Sequence, residues 1–175
     1  MAHHYFIDGY NVLHTSTVLR PLVRQSFEAA REALIDKVAL FCGTSENRAS
    51  LVFDGRGKTY AEIAEHGRGV AGLEVVYTHG EISADAYIER KIYQAQNKRT
   101  FIVVSGDRGL RDLCTGMGAF VIDADNFLRT VREARADIDE AMRHRTALRQ
   151  PLASLEDGLG ADSAARMDEI RKRLR

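Results

Sequence analysis

Acidic side chains follow several short apolar runs of this sequence, and this placement suits metal chemistry. Asp8 follows the run YFI, Asp54 follows ASLVF, and Asp107 lies just beyond TFIVV in the stretch VVSGDRGL. Asp85 and Glu89, four residues apart, share one face of a predicted helix close to its start. Carboxylate oxygens without cysteine or histidine partners suit Mg²⁺ or Mn²⁺. A divalent ion in such a site lowers the pKa of bound water and stabilises charge on a phosphoryl oxygen, which is the chemistry of phosphodiester hydrolysis.

Each acid taken alone also has an ordinary structural explanation. Asp107 could be a helix N-cap, Asp85 could complement a helix dipole, and Asp54 could be a turn residue. These explanations are weaker for the set, because carboxylates gathered at one place repel each other and raise each other's pKa values unless a cation neutralises them. Gly9 would let the backbone turn close to the site. Asn11 could bind a carboxylate or a bound water, or could be a simple turn or cap.

The elements that must position these acids alternate along the chain. The apolar runs YFI, ASLVF, LEVVY, TFIVV and AFVI predict buried strands. Amphipathic stretches lie between most of them, including VRQSFEAAREALIDKVALFC and SADAYIERKIYQAQN. This order predicts an α/β fold with a central, mostly parallel sheet of about five strands flanked by helices. Ligands of such sheets bind at the carboxyl ends of the strands, where the acids would meet.

Length and composition predict one domain and exclude several classes of protein. We expect the domain to span residues 1–149 and a C-terminal tail, partly disordered or a peripheral helix, to span 150–175. The glycine-rich, basic segment 55–72 predicts a loop with at most a short helix, a candidate lid. Cys42 and Cys114 lack the spacing of a metal or redox motif, which indicates reduced thiols in a cytoplasmic protein. No apolar run approaches the ~20 residues of a membrane span, so no membrane association is expected.

Four blocks of the sequence resemble a known family. FIDGYNVL, LVFDG, EISADAYIER and VVSGDRGL, in this order, are similar to the YacP-like NYN-domain ribonucleases, which are relatives of the PIN-domain nucleases. The similarity runs from about Tyr5 to Leu128. It implies a three-layer PIN-like fold and an endoribonuclease that uses Mg²⁺ or Mn²⁺ and a metal-activated water to cleave single-stranded RNA. Hydrolysis by this route would leave a 5′-phosphate and a 3′-hydroxyl.

The resemblance also assigns roles to particular residues. It implies that Asp8, Asp85 and Asp107 bind the metal, and Asp54 and Glu89 match further acidic positions as outer or second-metal ligands. With Asn11, the four aspartates make up the expected catalytic set. The family more often has Thr or Ser directly before the last acid, whereas Gly106 here separates Asp107 from Ser105. We therefore expect an altered contact of the serine hydroxyl.

Binding of RNA must come from local patches, because 25 basic residues balance 25 acidic residues. The candidate partner is single-stranded RNA, mRNA included, in a translation-linked role with the ribosome as a further candidate partner. The arginines of the ending RKRLR are compatible with such a contact and equally with none. Oligomeric state is left open. Basic side chains could contact the RNA backbone, or could be an ordinary solvated run of charge, and a tyrosine could stack on a base, or could pack in the core. The predicted RNA contacts are Tyr10, Arg56, Lys58, Arg68, Arg108 and Arg111.

Other classes of function fit the sequence less well. A receiver-like domain with Asp54 as phosphoacceptor would need two adjacent acids after the first strand and a lysine after the fifth. A dinucleotide site would need G-x-G-x-x-G after the first strand, which is absent. The scattered His14, His66 and His79 do not favour a metal-free ribonuclease. A catalytically inactive RNA- or ribosome-binding module of the same fold stays open, although the intact acids argue against it.

Overall fold

The computed structural model describes residues 2–55, 63–79 and 82–148. The chain divides into two compact units, the first ending at Ala136 and the second beginning at Asp137. The described part of the second unit is the helical stretch 137–148. The expected tail at 150–175 lies outside the described residues, so the boundary at 149 stays a prediction.

Strands and helices alternate through the described chain, as expected. The strands are β1 (His4–Asp8), β2 (Arg48–Phe53), β3 (Ile63–His66), β4 (Leu73–Tyr77), β5 (Phe101–Val104) and β6 (Phe120–Ile122). The helices are α1 (Gly9–Thr15), α2 (Arg20–Gln25), α3 (Phe27–Thr44), α4 (Ala84–Gln94), α5 (Arg108–Gly116) and α6 (Ala124–Leu148). Short 3-10 turns occupy Gly67–Gly69 and Lys98–Thr100.

The described strands form one sheet in the order β3-β4-β2-β1-β5-β6. Five of these strands run parallel to one another, from β4 through β2, β1 and β5 to β6. The edge strand β3 pairs antiparallel with β4. The predicted α/β class with a mostly parallel sheet is confirmed. The segment 55–72 was wrongly expected to contain no strand, because the short β3 is held by its pairing with β4 rather than by an apolar pattern of its own. The candidate lid residues 56–62 lie outside the described chain.

Two further differences concern the helices after β1. Gly9 was expected to let the backbone turn close to the site, and it is the first residue of α1, which the sequence analysis did not predict. A Cβ atom at Gly9 would lie 2.3 Å from the Phe53 ring, so glycine allows α1 to start against β2. The stretch from Val23 to Cys42 was expected to form one helix, but it is divided between α2 and α3. Ser26 is extended there and its side chain accepts a hydrogen bond from Ala29 N–H, which starts α3.

The core of the first unit lies on both faces of the sheet. One side packs α1, α3 and the first turns of α6 against alternate strand residues, with Leu34, Val38 and Phe127 fully buried. The other side packs α4 and α5 around Ile88, Ile92 and other residues. This is the three-layer arrangement expected for parallel strands, which need helical crossovers on both faces. Cys42 and Cys114 are buried free thiols.

Among the described helices, none combines the length and the apolar character that crossing a bilayer requires.

Candidate active site

The strand order places two loops side by side at the carboxyl edge of the sheet. β1 continues towards β2 on one side, while the chain leaving β4 crosses to β5 on the other side of β1. Such a reversal of strand order opens a crevice between the loops that follow the two strands. The loop after β1 carries Asp8, and the loop after β5 carries Ser105, Gly106 and Asp107. The topology therefore brings the first and last predicted acids to the same crevice.

Asp8 and Asp85 form the centre of the acidic cluster. Asp8 is only 7% exposed and is the N-cap of α1. Its Oδ1 accepts a hydrogen bond of 3.1 Å from the Asn11 N–H. Burial raises the pKa of Asp8 to about 7, and a hydrogen bond to Asp85 and the charges of Asp85 and Asp54 add to the rise. Burial also raises the pKa of Asp85, as do the charges of Asp107 and Asp54. The surroundings of both central carboxyls therefore disfavour their charged forms, as expected when like charges are gathered in a partly buried place.

Asp54 and Asp107 flank this pair, and each accepts a hydrogen bond from the first turn of a helix. Asp54 Oδ1 accepts a hydrogen bond of 2.6 Å from the N–H of Ala84, the first residue of α4. This contact places Asp85 one residue further along, on the first turn. Asp107 is the N-cap of α5 and accepts a hydrogen bond of 3.0 Å from Leu110 N–H. The capping explanation for Asp107 is thus confirmed, and it coexists with the electrostatic effect of Asp107 on Asp85.

Asn11 ties the two loops of the crevice together. Its Oδ1 accepts a hydrogen bond of 2.6 Å from the Gly106 N–H, across 95 residues of sequence. The Thr15 hydroxyl donates to the Asn11 carbonyl oxygen, one turn back along α1, at 2.7 Å. A Cβ atom at position 106 would lie 3.1 Å from Asn11 Oδ1 and 3.2 Å from Thr15 Cγ2, so glycine permits this close approach. Sequence reasoning overlooked Thr15, whose only signal is a hydroxyl four residues after Asn11.

Ser105 keeps a role despite the intervening glycine. The side chain is fully buried, and its Oγ accepts a hydrogen bond of 3.1 Å from the Asp107 N–H. The expected change in the hydroxyl contact therefore takes the form of a bond to the backbone of the acid. Together with the Asn11 bond to Gly106, it fixes the backbone on which Asp107 stands.

The acidic cluster fits a cation in its donor type and in its charge. Asp85 Oδ1 is buried and has no hydrogen-bond partner among the described residues. A buried carboxylate oxygen without a donor is costly unless a cation or a proton compensates for it. However, among the described residues no three His, Cys, Asp or Glu side chains are arranged closely enough to hold a metal ion. Asp8 and Asp85 are in contact, whereas Asp54 and Asp107 act on them through their charge.

Glu89 lies one turn beyond Asp85 on α4 and is exposed. Its charge is not among those that raise the pKa values of Asp8 and Asp85. Burial raises the pKa of the Cys114 thiol on α5 to about 11, and the charges of Glu89 and Asp85 add to this effect. The role of Glu89 as a metal ligand stays a prediction.

Comparison with known proteins identifies the family to which the chain belongs. The family model described as YacP-like NYN domain matches residues 5–172, nearly the whole chain. The chain belongs to the YacP-like NYN domain family. The resemblance read from the four sequence blocks is thereby confirmed, and with it the PIN-like, nuclease-like fold.

Members of this family from one bacterium are similar to the chain in sequence and in structure. The Bacillus subtilis (strain 168) protein named "Uncharacterized protein YacP" is 31% identical over 142 residues, which cover 81% of this chain and 82% of that protein. A crystal structure of Rae1 (YacP) from Bacillus subtilis superposes with a TM-score of 0.66 at 26% identity, covering 98% of this chain and 95% of the other. The structure of a mutant of Rae1 (YacP) gives a TM-score of 0.68 at 28% identity over 87% and 88% of the two chains.

The RNA contacts predicted for this YacP-like NYN domain are distributed unevenly. Arg108 is exposed and Arg111 half-buried on the first turn of α5, next to Asp107. Arg68 instead forms ion pairs with Glu32 and Asp36 of α3, so its charge is already compensated. Arg56 and Lys58 lie outside the described residues.

Tyr10 lies close to the acids, but its ring is engaged in packing. It is half-buried, with ring centroids 5.4 Å from Phe27 and 5.3 Å from Phe53. The packing alternative weighed for Tyr10 therefore describes most of its contacts, because two aromatic neighbours already cover the ring.

Proposed function

We propose that this YacP-like NYN domain is a metal-dependent endoribonuclease that hydrolyses phosphodiester bonds of single-stranded RNA. The observation that carries this proposal is the contact of the buried Asp8 with the half-buried Asp85. Asp54 and Asp107 are near enough to raise the pKa of Asp85, and Asp85 Oδ1 lacks a described partner. NYN and PIN-like nucleases generally use divalent metals, and this cluster has the oxygen donors that Mg²⁺ and Mn²⁺ prefer.

The residues of the cluster would divide the work as follows. Asp8, Asp85 and Asp107 would hold the ion, with Asp54 and Glu89 as outer or second-metal ligands. The ion, when bound, would supply an activated water and stabilise charge on the phosphoryl group. Ion binding requires Asp8 to give up its proton, because a ligating carboxylate must be ionised. Asn11 would act as a positioning residue, since it holds the loop of Asp107 against the loop of Asp8.

Local charge next to the acids supports the proposed substrate. Arg108 and Arg111 stand beside Asp107, where a phosphate backbone could be neutralised. Messenger RNA is the proposed natural substrate, in a cytoplasmic and translation-linked role in which the ribosome would be a partner.

Cleavage of a labelled single-stranded RNA tests this function. The purified protein is incubated with the RNA and Mn²⁺ or Mg²⁺, with and without excess EDTA, and the ends of the products are mapped. We expect internal cuts with 5′-phosphates, abolished by EDTA and by Asp8→Asn. Equal cleavage with and without EDTA would reject the metal mechanism. No cleavage with either ion would reject the proposal that the protein is an endoribonuclease.

A second candidate is an inactive RNA- or ribosome-binding module of the same fold. The observation that favours it is that no described group of three His, Cys, Asp or Glu side chains is arranged to hold a metal. Such a module would retain RNA without cutting it. A binding assay on the same RNA, run beside the cleavage assay, separates the two candidates.

A further inference from the structure

The segment that follows Asp8 differs in charge from the rest of the acid-rich crevice. Residues 9–27 contain no Asp or Glu, although the chain has 25 acids in 175 residues. This segment forms α1 and α2 and carries Arg20, Arg24 and His14. Because Asp8 caps α1, the segment starts at the proposed catalytic centre itself.

Two arginines of α2 lie on its outer face, and no acid of the described chain pairs with them. Arg20 and Arg24 are exposed and four residues apart, so they are neighbours on the helix surface. Leu22 and Val23 pack inward against the core. Within the described chain, neither arginine forms an ion pair.

The acids nearest in sequence do not neutralise these arginines. Glu28 and Glu32 at the start of α3 pair with Arg31, and Glu32 and Asp36 pair with Arg68. Two like charges at this spacing repel each other slightly, by a few tenths of a kcal/mol. A polyanion lying along the face would remove this repulsion and gain from both charges.

A row of aromatic rings connects the outer end of α1 to the acidic cluster. His14 is exposed, and its ring centroid is 6.2 Å from that of Phe27. Phe27 is half-buried and in turn lies 5.4 Å from Tyr10, two residues after Asp8. α1 is seven residues long, which corresponds to roughly 10 Å of helix. α1 and α2 are in contact with each other, so the rings and the two arginines lie on neighbouring helices. Surfaces that bind single-stranded nucleic acid typically combine aromatic faces with cations.

We propose that α1 and α2 form a binding path for single-stranded RNA, in which Arg20 and Arg24 contact phosphates and His14 stacks on a base. The path leads the strand to the acidic cluster, so this inference rests on the proposed function for its purpose. Its occupant is identified by chemistry alone: an unpaired strand offers both a chain of anions and exposed base faces. In this proposal Arg20 and Arg24 take the phosphate-binding role that the sequence analysis gave to Arg68, because Arg68 forms ion pairs with acids of α3.

Fluorescence anisotropy with a short labelled single-stranded RNA tests the path. The full-length protein is titrated in EDTA over a series of salt concentrations, and the RNA is checked on a gel afterwards to show that it stays intact. The test variant is Arg20→Gln/Arg24→Gln. The matched control is Arg48→Gln/Arg99→Gln, which removes two exposed arginines at the opposite, amino-terminal edge of the sheet.

We expect the test variant to bind at least about tenfold more weakly at low salt, and the slope of log K against log salt to fall by about 1.4, or about 0.7 for each lost phosphate contact. The control should change affinity less than twofold. Thermal unfolding of both variants should match that of the unmodified protein, because all four side chains are exposed. Equal effects of the two pairs, or no effect of the test pair, would reject the path.

A second variant tests stacking separately from charge. His14→Ala should weaken binding of the RNA by about fivefold or more. It should leave the binding of an abasic strand of the same length unchanged. Loss of affinity for both strands alike would reject a stacking role for His14.

The path and the nuclease can fail independently. If the unmodified protein cuts RNA with Mn²⁺ but the test variant binds normally, the path is wrong and the proposed function stands. If no cutting occurs but the test variant alone loses RNA, the path stands and the proposed function is wrong.

Discussion

The two ends of one face of β1 carry polar side chains that differ in burial and in how they are compensated, a half-buried histidine and a buried aspartate. His4 and Asp8 stand at the amino and carboxyl ends, with Phe6 between them on the same face. His4 Nε2 lies 2.9 Å from Ser50 Oγ, and the Ser50 hydroxyl donates to Glu74 Oε2 at 3.0 Å. Since Ser50 has one proton to donate, Nε2 of His4 must carry the proton of the other bond. Each of these three side chains, His4, Ser50 and Glu74, therefore has a hydrogen-bond partner.

The carboxyl end instead collects charges of one sign. Asp8 and Asp85 are in contact, and the charge of Asp54 raises the pKa values of both. One buried oxygen of Asp85 has no partner among the described residues. Burial and Arg48 lower the pKa of His4, so its imidazole stays neutral in the satisfied network. A satisfied polar network stabilises the native state, whereas an unsatisfied one lowers its stability and is retained where a ligand completes it. The two ends of β1 thus differ in how their polar groups are compensated, and the carboxyl edge is the one at which we propose function.

The largest effect expected at the carboxyl edge is on cleavage. Asp85→Asn should lower the rate of RNA cleavage by about 1,000-fold, the loss expected when a charged group that supports the transition state is removed. Asp112→Asn is the matched control, because Asp112 is an exposed acid on α5 outside the cluster. Single-turnover rates of the two variants with saturating Mn²⁺ give the comparison. Similar rates for both would remove Asp85 from the proposed site.

A smaller effect is expected on the pH dependence of stability. Without divalent ions the raised pKa of Asp8 means that the folded protein keeps a proton that the unfolded chain releases between pH 3.8 and about 7. The contribution of Asp8 to the free energy of unfolding should therefore be full at low pH and fall as pH rises through this window, by up to a few kcal/mol. Urea unfolding in EDTA of the unmodified protein and of Asp8→Asn measures it as a difference. An advantage of Asp8→Asn that shrinks with rising pH would contradict the expected sign.

The smallest effect belongs to the amino edge and touches stability alone. Ser50→Ala would leave Glu74 and His4 without their shared partner, at a cost of about 1–2 kcal/mol in the free energy of unfolding. Cleavage by the fully folded variant should be unchanged, since the network lies at the other end of β1. Denaturant unfolding and a cleavage assay on the same sample check both statements. A loss of cleavage without a loss of stability would show that the two edges are coupled.

The sequence by itself determined the class of fold and which residues stand at the strand ends. Apolar runs and helical periodicity are local properties, and they located the parallel strands and the acids Asp8, Asp54 and Asp107 after three of them. The prediction that segment 55–72 contains no strand was wrong, because β3 depends on its pairing with β4 and has no strong local pattern. The short helix α1 after Asp8 was not predicted either.

Only the tertiary structure decided which of those residues meet. It joined Asp8 to Asp85, bound one oxygen of Asp54 to the first residue of α4, and tied Asn11 to Gly106 across 95 residues. It also paired Arg68 with α3 and left Arg20 and Arg24 unpaired within the described chain. Contacts of this kind depend on the distance between elements far apart in sequence. That distance is fixed by the order of strands and the packing of helices on them, which no local pattern contains.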